Sequence, residues 1–213
     1  MNAIEDAAAA LRGGELVVLP TDTVYGLAAR PDDPIATARI FDAKRRPRDL
    51  SLPILVPSVE AARAVARFDD RADRVASALW PGALTLILPR TDASRAWELG
   101  ADADSIGVRV PRHPLVLALL ELSGPLAVTS ANLSGELPAR SCDELHAAFG
   151  DRVAVYLCRD DESLCLVSTV LDLTHGDARL LRSGTVDADE IAQLLGPGVP
   201  LLDSPPSGSR LRE

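Results

Sequence analysis

Lys44 is the only lysine in the chain; the other 21 basic residues are arginine. It stands in AKRRPRDLSLPI, residues 43–54. An ammonium is a compact point charge that fits beside a phosphate oxygen where a planar guanidinium does not. Lys44 and Arg46 lie two apart at a helix end broken by Pro47. Both can therefore turn into one cleft and neutralise phosphate charge. The alternative is a solvated basic face that favours the helix C-terminus.

Four further segments carry polar groups where strands end. Thr21, Asp22 and Thr23 follow Pro20 in LPTDTVYGLAA. Strand C-termini are where open α/β sheets bind ligands, although an ordinary Asx or Thr turn reads the same way. Arg109 stands in the otherwise apolar GVRV. Burying it unpaired is costly, so it needs an ion-pair partner or an anionic ligand. Ser130 and Asn132 lie in VTSANLSG, which can cradle an anion or cap a helix. Ser168 (STVLDL) and Arg182 (LLRSG) sit at strand edges. Asparagine occurs only at positions 2 and 132, so Asn132 is, like Lys44, a rare residue in a turn-rich segment.

Familiar catalytic signatures do not occur. There is no GxGxxG, GxxxxGK[ST], HExxH or GxSxG. His113, His146 and His175 lack metal-ligand spacing, so no protein-bound metal site is expected. What remains suits binding a polyanion beside a small polar molecule. Catalysis would come from positioning and charge neutralisation at a phosphoryl centre.

Elements must hold these residues. Residues 2–12 predict a helix stopped by Gly13-Gly14, with further helices over 34–44, 70–79, 114–122 and 187–195. Strands are expected at 15–19, 53–56, 84–88, 107–110, 126–129, 153–157, 169–173 and 179–182. Short strands mixed with helices predict an α/β (α+β) fold with a mixed sheet. One catalytic domain over 1–200 and a disordered tail over 201–213, which lacks apolar periodicity, complete the organisation.

Bulk properties narrow the function. A net charge of −9 argues against gripping nucleic acid as the dominant role. Aromatics are only 3%, so the core must be Leu, Val, Ile and Ala. Three cysteines (142, 158 and 165), an odd number without CxxC spacing, predict no disulfide framework and a reducing cytoplasm. The N-terminus lacks a signal pattern, and no apolar run is long enough for a bilayer.

LPTDTVYGLAA, AKRRP, WPGALTLIL, GVRVP, TSANLSG, STVLDLT and LLRSG, in this order, resemble the YrdC-like family of threonylcarbamoyl-adenylate synthases. The resemblance spans about residues 4–195, in a short form without the appended domain of longer members. It implies a twisted open mixed sheet flanked by helices, with a basic concave cleft. It implies that L-threonine, bicarbonate and ATP with Mg²⁺ yield threonylcarbamoyl-AMP and pyrophosphate. A partner threonylcarbamoyl transferase complex would then modify tRNA. By motif, Lys44 and Arg46 would face ATP phosphates and act catalytically. Thr21, Arg109, Ser130 and Ser168 would hold threonine, and Asn132 and Arg182 would hold the nucleotide, with Ser105 and Ser141 near further ATP contacts. Asp22 would be an indirect Mg²⁺ ligand. Departures are Val167 in place of proline before STV, RDLSLPILV after the KxR pair, and the insert LCRDDESLCLV. A double-stranded RNA-binding module using the same cleft is the rival reading. A metallocentre-maturation carbamoyl transferase, usually a larger chain with zinc-finger-like cysteines, is another.

Overall fold

Asn2 begins the first helix: its side chain accepts from the Ile4 amide, and the Glu5 carboxylate accepts from the Asn2 amide. Such reciprocal capping satisfies two otherwise orphaned donors. The computed structural model describes residues 2–158 and 166–203. In chain order the helices are α1 (Ala3–Arg12), α2 (Pro34–Lys44), α3 (Val59–Val65), α4 (Asp70–Leu79), α5 (Asp92–Arg95), α6 (Pro114–Ser123), α7 (Cys142–Phe149) and α8 (Ala188–Leu195). The strands are β1 (Val17–Leu19), β2 (Gly26–Ala29), β3 (Ile54–Leu55), β4 (Leu84–Pro89), β5 (Ser105–Arg109), β6 (Leu126–Ser130), β7 (Val155–Tyr156), β8 (Thr169–Asp172), β9 (Ala178–Arg182) and β10 (Leu201–Asp203).

Among the described residues the strands make one mixed sheet in the order β10-β9-β8-β4-β5-β3-β6-β2-β1-β7. β4 pairs parallel with β8 and antiparallel with β5; β3 pairs parallel with β5 and antiparallel with β6. The expected fold class is therefore the observed one.

Helices cover the sheet unequally. Ala7, Ala8 and Leu11 of α1 and Val116, Leu119 and Leu120 of α6 pack on Val17, Leu19, Ala28, Leu126 and Val128. This pair covers one face over β1, β2, β6 and β7 and reaches Leu55 of β3. The opposite face buries a larger cluster including Ile40 of α2, Val75 of α4, Ile191 of α8 and the sheet residues Val18, Leu27, Ile54, Leu86 and Val108. Each fully buried Leu, Ile or Val contributes roughly 1.5–3 kcal/mol, so this aliphatic core holds together with few aromatics.

Punctuating residues set the boundaries that matter for the site. Asp33 caps α2 by accepting from the amides of Ile35 and Ala36, and Pro34 occupies the first turn. Arg45 ends α2 in the left-handed conformation, φ 53°. That turn places Lys44 inward, where it is fully buried.

Three expectations need correction. Cys142 and Cys158 form a disulfide, with Cα atoms 5.7 Å apart. An odd count and the lack of a CxxC motif say nothing of spatial approach, which here comes from α7 packing beside β7. Leu201–Asp203, the first residues of the expected tail, form β10 and pair parallel with β9; residues 204–213 and most of the insert before Leu166 lie outside the described residues. β2, α3, α5 and α7 are elements that the sequence reading did not anticipate.

Candidate active site

Where α1 and α6 stop covering the sheet, its face forms the floor of a cavity of about 580 Å³. Cross-strand register builds that floor. Leu55 pairs with Arg109. Leu86 pairs with Val108, which sets Thr85 against Arg109. Thr85 pairs with Val170, and Val170 with Arg182. Side chains directly opposite one another on adjacent strands share a face, so this row presents Leu55, Arg109, Thr85, Val170 and Arg182 to the same side. All five line the cavity, with Thr21, Thr23, Ser130, Asn132 and Ser168 around them.

Arg109 is buried and held by three oxygens. Nε donates to the Gly82 carbonyl at 2.9 Å, Nη1 to Thr23 Oγ1 at 3.0 Å and Nη2 to Asp22 Oδ1 at 2.6 Å. Burial pushes its pKa below the ordinary arginine value; Asp22 pulls it back up, while Arg182 adds to the lowering. Of the alternatives read from the sequence, the ion-pair partner is present, and Arg109 also lines the cavity.

The turn after β1 positions its neighbours. Thr21 Oγ1 donates to the Val24 carbonyl at 2.6 Å and accepts from the Thr23 amide at 3.1 Å. The two threonine hydroxyls are 2.9 Å apart. With Thr21's proton on Val24, Thr23 donates to Thr21 and accepts from Arg109, so the chain of hydroxyls has a fixed polarity.

Opposite, Arg182 donates from Nε to the Ser168 carbonyl at 2.9 Å and from Nη2 to Ser168 Oγ at 2.8 Å. Ser168 Oγ also lies 3.4 Å from Thr85 Oγ1. Gly184 permits this approach: a Cβ there would stand 2.5 Å from the backbone of Val167, Ser168 and Thr169.

The KxR pair is placed differently from expectation. Lys44 Nζ donates to the carbonyls of Ser130 (2.6 Å) and Asn132 (2.7 Å), and lies 3.3 Å from Asn132 Oδ1. Arg46 donates to the carbonyls of Leu50 (3.1 Å) and Ser51 (3.2 Å). Neither lines the cavity. Lys44 touches it through the loop that presents Ser130 and Asn132. Asn132 in turn donates from Nδ2 to the carbonyls of Leu133 and Glu136, folding the loop back on itself.

Ser105 and Ser141 stand apart from the cavity. Ser105 Oγ donates to Asp102 Oδ2 at 2.6 Å, and Ser141 caps α7 by accepting from the Glu144 amide. Thr23, named in the sequence only as part of the turn after β1, lines the cavity, and Thr85 is a lining residue that the sequence reading passed over. Thr85 had a signal: it is the lone polar side chain in LTLIL. No cluster of three or more His, Cys, Asp or Glu side chains suited to a metal occurs among the described residues. Asp22 Oδ1 is committed to Arg109. An ion brought by ATP would belong to the substrate, held mainly by phosphates and water.

The Sua5/YciO/YrdC family model, described as "Telomere recombination", matches residues 9–184. The chain belongs to this family. A Mycobacterium tuberculosis relative, provisionally named a threonylcarbamoyl-AMP synthase, is 40% identical over 194 residues, covering 91% of this chain and 89% of its own. The Pyrococcus abyssi Sua5 structure complexed with L-threonine is 35% identical with a TM-score of 0.83, over 93% of this chain but 58% of that one. This chain thus spans little more than half of the archaeal Sua5. Escherichia coli YciO, at 27% identity and a TM-score of 0.81, matches over 88% of this chain and 92% of its own. Of the segments that carry the resemblance, LPTDTVYGLAA, WPGALTLIL, GVRVP, TSANLSG, STVLDLT and LLRSG supply lining residues, and AKRRP does not.

Proposed function

We propose that this chain is an L-threonylcarbamoyl-adenylate synthase, joining L-threonine, bicarbonate or CO₂, and ATP. The observation that carries the reading is the buried Arg109, fixed in orientation, on one cavity floor with the hydroxyls of Thr23, Thr85 and Ser168. A fixed guanidinium suits a carboxylate through paired hydrogen bonds. Clustered hydroxyls suit a small substrate bearing its own hydroxyl. Threonine has both groups, and relatives carrying the synthase name support the choice.

In this reading the threonine amine attacks CO₂ and releases a proton, giving a carbamate. A carbamate oxygen then attacks the ATP α-phosphorus, the bond to the bridging oxygen breaks, and pyrophosphate leaves. No protein nucleophile takes part. Arg109 holds the carboxylate and Ser168 with Thr85 holds the side chain, so the carbamate is aimed from a fixed base; such positioning supplies much of the rate. Lys44 sets the loop bearing Ser130 and Asn132 against the nucleotide, and Arg182 completes the far wall. The product would pass to a threonylcarbamoyl transferase that modifies tRNA. The enclosed floor favours small molecules over a nucleic-acid duplex, which side chains meet across wide grooves.

Pyrophosphate release tests the reading. Release should require ATP, threonine and bicarbonate together, and should vanish when any one is omitted. Release that ignores threonine would overturn it.

A further inference from the structure

The hydroxyls at the two ends of the cavity floor differ in what they have left for a ligand. Thr21 Oγ1 lies 2.6 Å from the Val24 carbonyl, which has no proton, so Thr21 is the donor there. It accepts from the Thr23 amide at 3.1 Å, and the Thr23 hydroxyl, 2.9 Å away, supplies its own proton to Thr21. A hydroxyl has one donor and two lone pairs, so Thr21 is filled. Thr23 has spent its proton on Thr21 and one lone pair on Arg109 Nη1 at 3.0 Å. It lines the cavity with its second lone pair unspent, and so faces a ligand as an acceptor only. At the other end Arg182 Nη2 takes one lone pair of Ser168 Oγ at 2.8 Å, and Ser168 and Thr85 share at most one hydrogen bond at 3.4 Å. One of their two hydroxyl protons therefore stays available.

We infer that Thr23 is a specificity-determining residue: it accepts an N–H from the substrate's α-amino group. The inference rests on the reading that Arg109 receives threonine's carboxylate. Arg109 spends one N–H each on Gly82, Thr23 and Asp22, which leaves one N–H on each terminal nitrogen for the two carboxylate oxygens. In an α-amino acid the amine sits on the carbon next to the carboxylate, so it arrives beside Arg109 and its neighbour Thr23. Asp22 does not line the cavity and engages the other terminal nitrogen, so Thr23 is the acceptor on the cavity side. The bond lasts through the chemistry, because the free amine and the carbamate it becomes both carry an N–H. No proton moves to Thr23, whose own proton is held by Thr21. At the far end the available Ser168 or Thr85 proton goes to the substrate's hydroxyl oxygen. A molecule with the carboxylate and the hydroxyl but no amine leaves the Thr23 lone pair unmet, and an unmet partner in a buried site makes selection steep.

The test is titration calorimetry with two probes: L-threonine, and (R)-3-hydroxybutyrate, which keeps the carboxylate and the hydroxyl and lacks the amine. The wild type should bind threonine at least about tenfold more tightly, the scale of one hydrogen bond to a charged group. Thr23→Val, which keeps the shape and loses the oxygen, should shrink that ratio about tenfold. The same variant also removes a partner of Arg109, but that loss weakens both probes alike and cancels in the ratio. A merely structural role for Thr23 would therefore leave the ratio unchanged. Thr23→Ser should restore it. Threonine bound no more tightly than 3-hydroxybutyrate by the wild type would overturn the inference whether or not the variants fold. An unchanged ratio in a folded Thr23→Val protein would do the same, while leaving the reading of Arg109 standing. A wild type that binds neither probe would sink that reading first, and this inference with it.

Discussion

Lys44 Nζ lies 2.7 Å from the main-chain oxygen of Asn132 and 3.3 Å from its side-chain oxygen. One ammonium thus grips both ends of the residue that the loop after β6 presents. A fully buried charge is tolerated only with such partners.

Replacing Lys44 therefore acts through the loop. Lys44→Ala should lower turnover about 10²–10³-fold, the scale of losing one preorganised charge-stabilising group. It should also lower the melting temperature, because the part-buried Ser130 carbonyl and the buried Asn132 carbonyl lose a donor, at roughly 1–3 kcal/mol for the buried one. Lys44→Arg should not rescue, since a guanidinium overfills a fully buried ammonium site. Near-normal pyrophosphate release by both variants would contradict this.

Arg109→Ala should raise the threonine KM sharply and leave ATP binding much less affected. It should also strand Asp22, and breaking a buried pair costs about 3–5 kcal/mol. Removing both members should recover part of that stability without recovering threonine affinity. Chemical denaturation of the single and double variants, beside threonine titrations, separates the two effects. Loss of ATP affinity with threonine affinity kept would move Arg109 to the nucleotide.

Acid sensitivity has an identifiable contributor in Asp102. Burial pushes its carboxyl upward, but the Ser105 hydroxyl and the amides of Ser105 and Asp104 outweigh that and hold it below the usual carboxylate value. A depressed folded pKa stabilises above the unfolded value near 4, and that contribution disappears as pH falls through the lower folded value. Asp102→Asn should flatten stability against pH below about 4 and reduce stability at neutral pH. Identical acid limbs for the two proteins would show that Asp102 does not contribute.

The Cys142–Cys158 bridge encloses α7 and β7 with a sequence separation of 16. A closed loop of about that length is worth roughly 3 kcal/mol in the chain-entropy account. Reductant should therefore lower the urea midpoint of the wild type toward that of Cys158→Ser, and leave the variant unmoved. A wild type indifferent to reductant would show that the bridge adds nothing to stability.

Much of the fold was legible because punctuation residues state it locally. Pro34 and Pro47 bound α2 at the expected residues, and Asp70–Leu79 matches its expected helix. β2 was not legible: GLAA has neither β-branched residues nor alternation, and only pairing with β1 and β6 makes it a strand. The candidate site was legible where a residue type was out of place, as Arg109 was in an apolar strand. Two of the four candidate serines, Ser130 and Ser168, line the cavity, and the other two stand apart from it. Ser141 and Ser105 serve a helix cap and a carboxylate turn, and a hydroxyl that satisfies local backbone looks the same in sequence as one that meets a ligand. Lys44 fell between the two: its rarity marked importance, while the direction of its side chain depended on the loop after β6.

The cavity floor has a consequence for how this protein acquires its activity. Arg182, Val170, Thr85, Arg109 and Leu55 come from five different strands, in an order unlike their order in the chain. A slip of one residue in any of them would send its side chain to the opposite face. The floor is thus a checksum of the sheet: no subset of strands contains it, and ligand binding reports that all five have found their places.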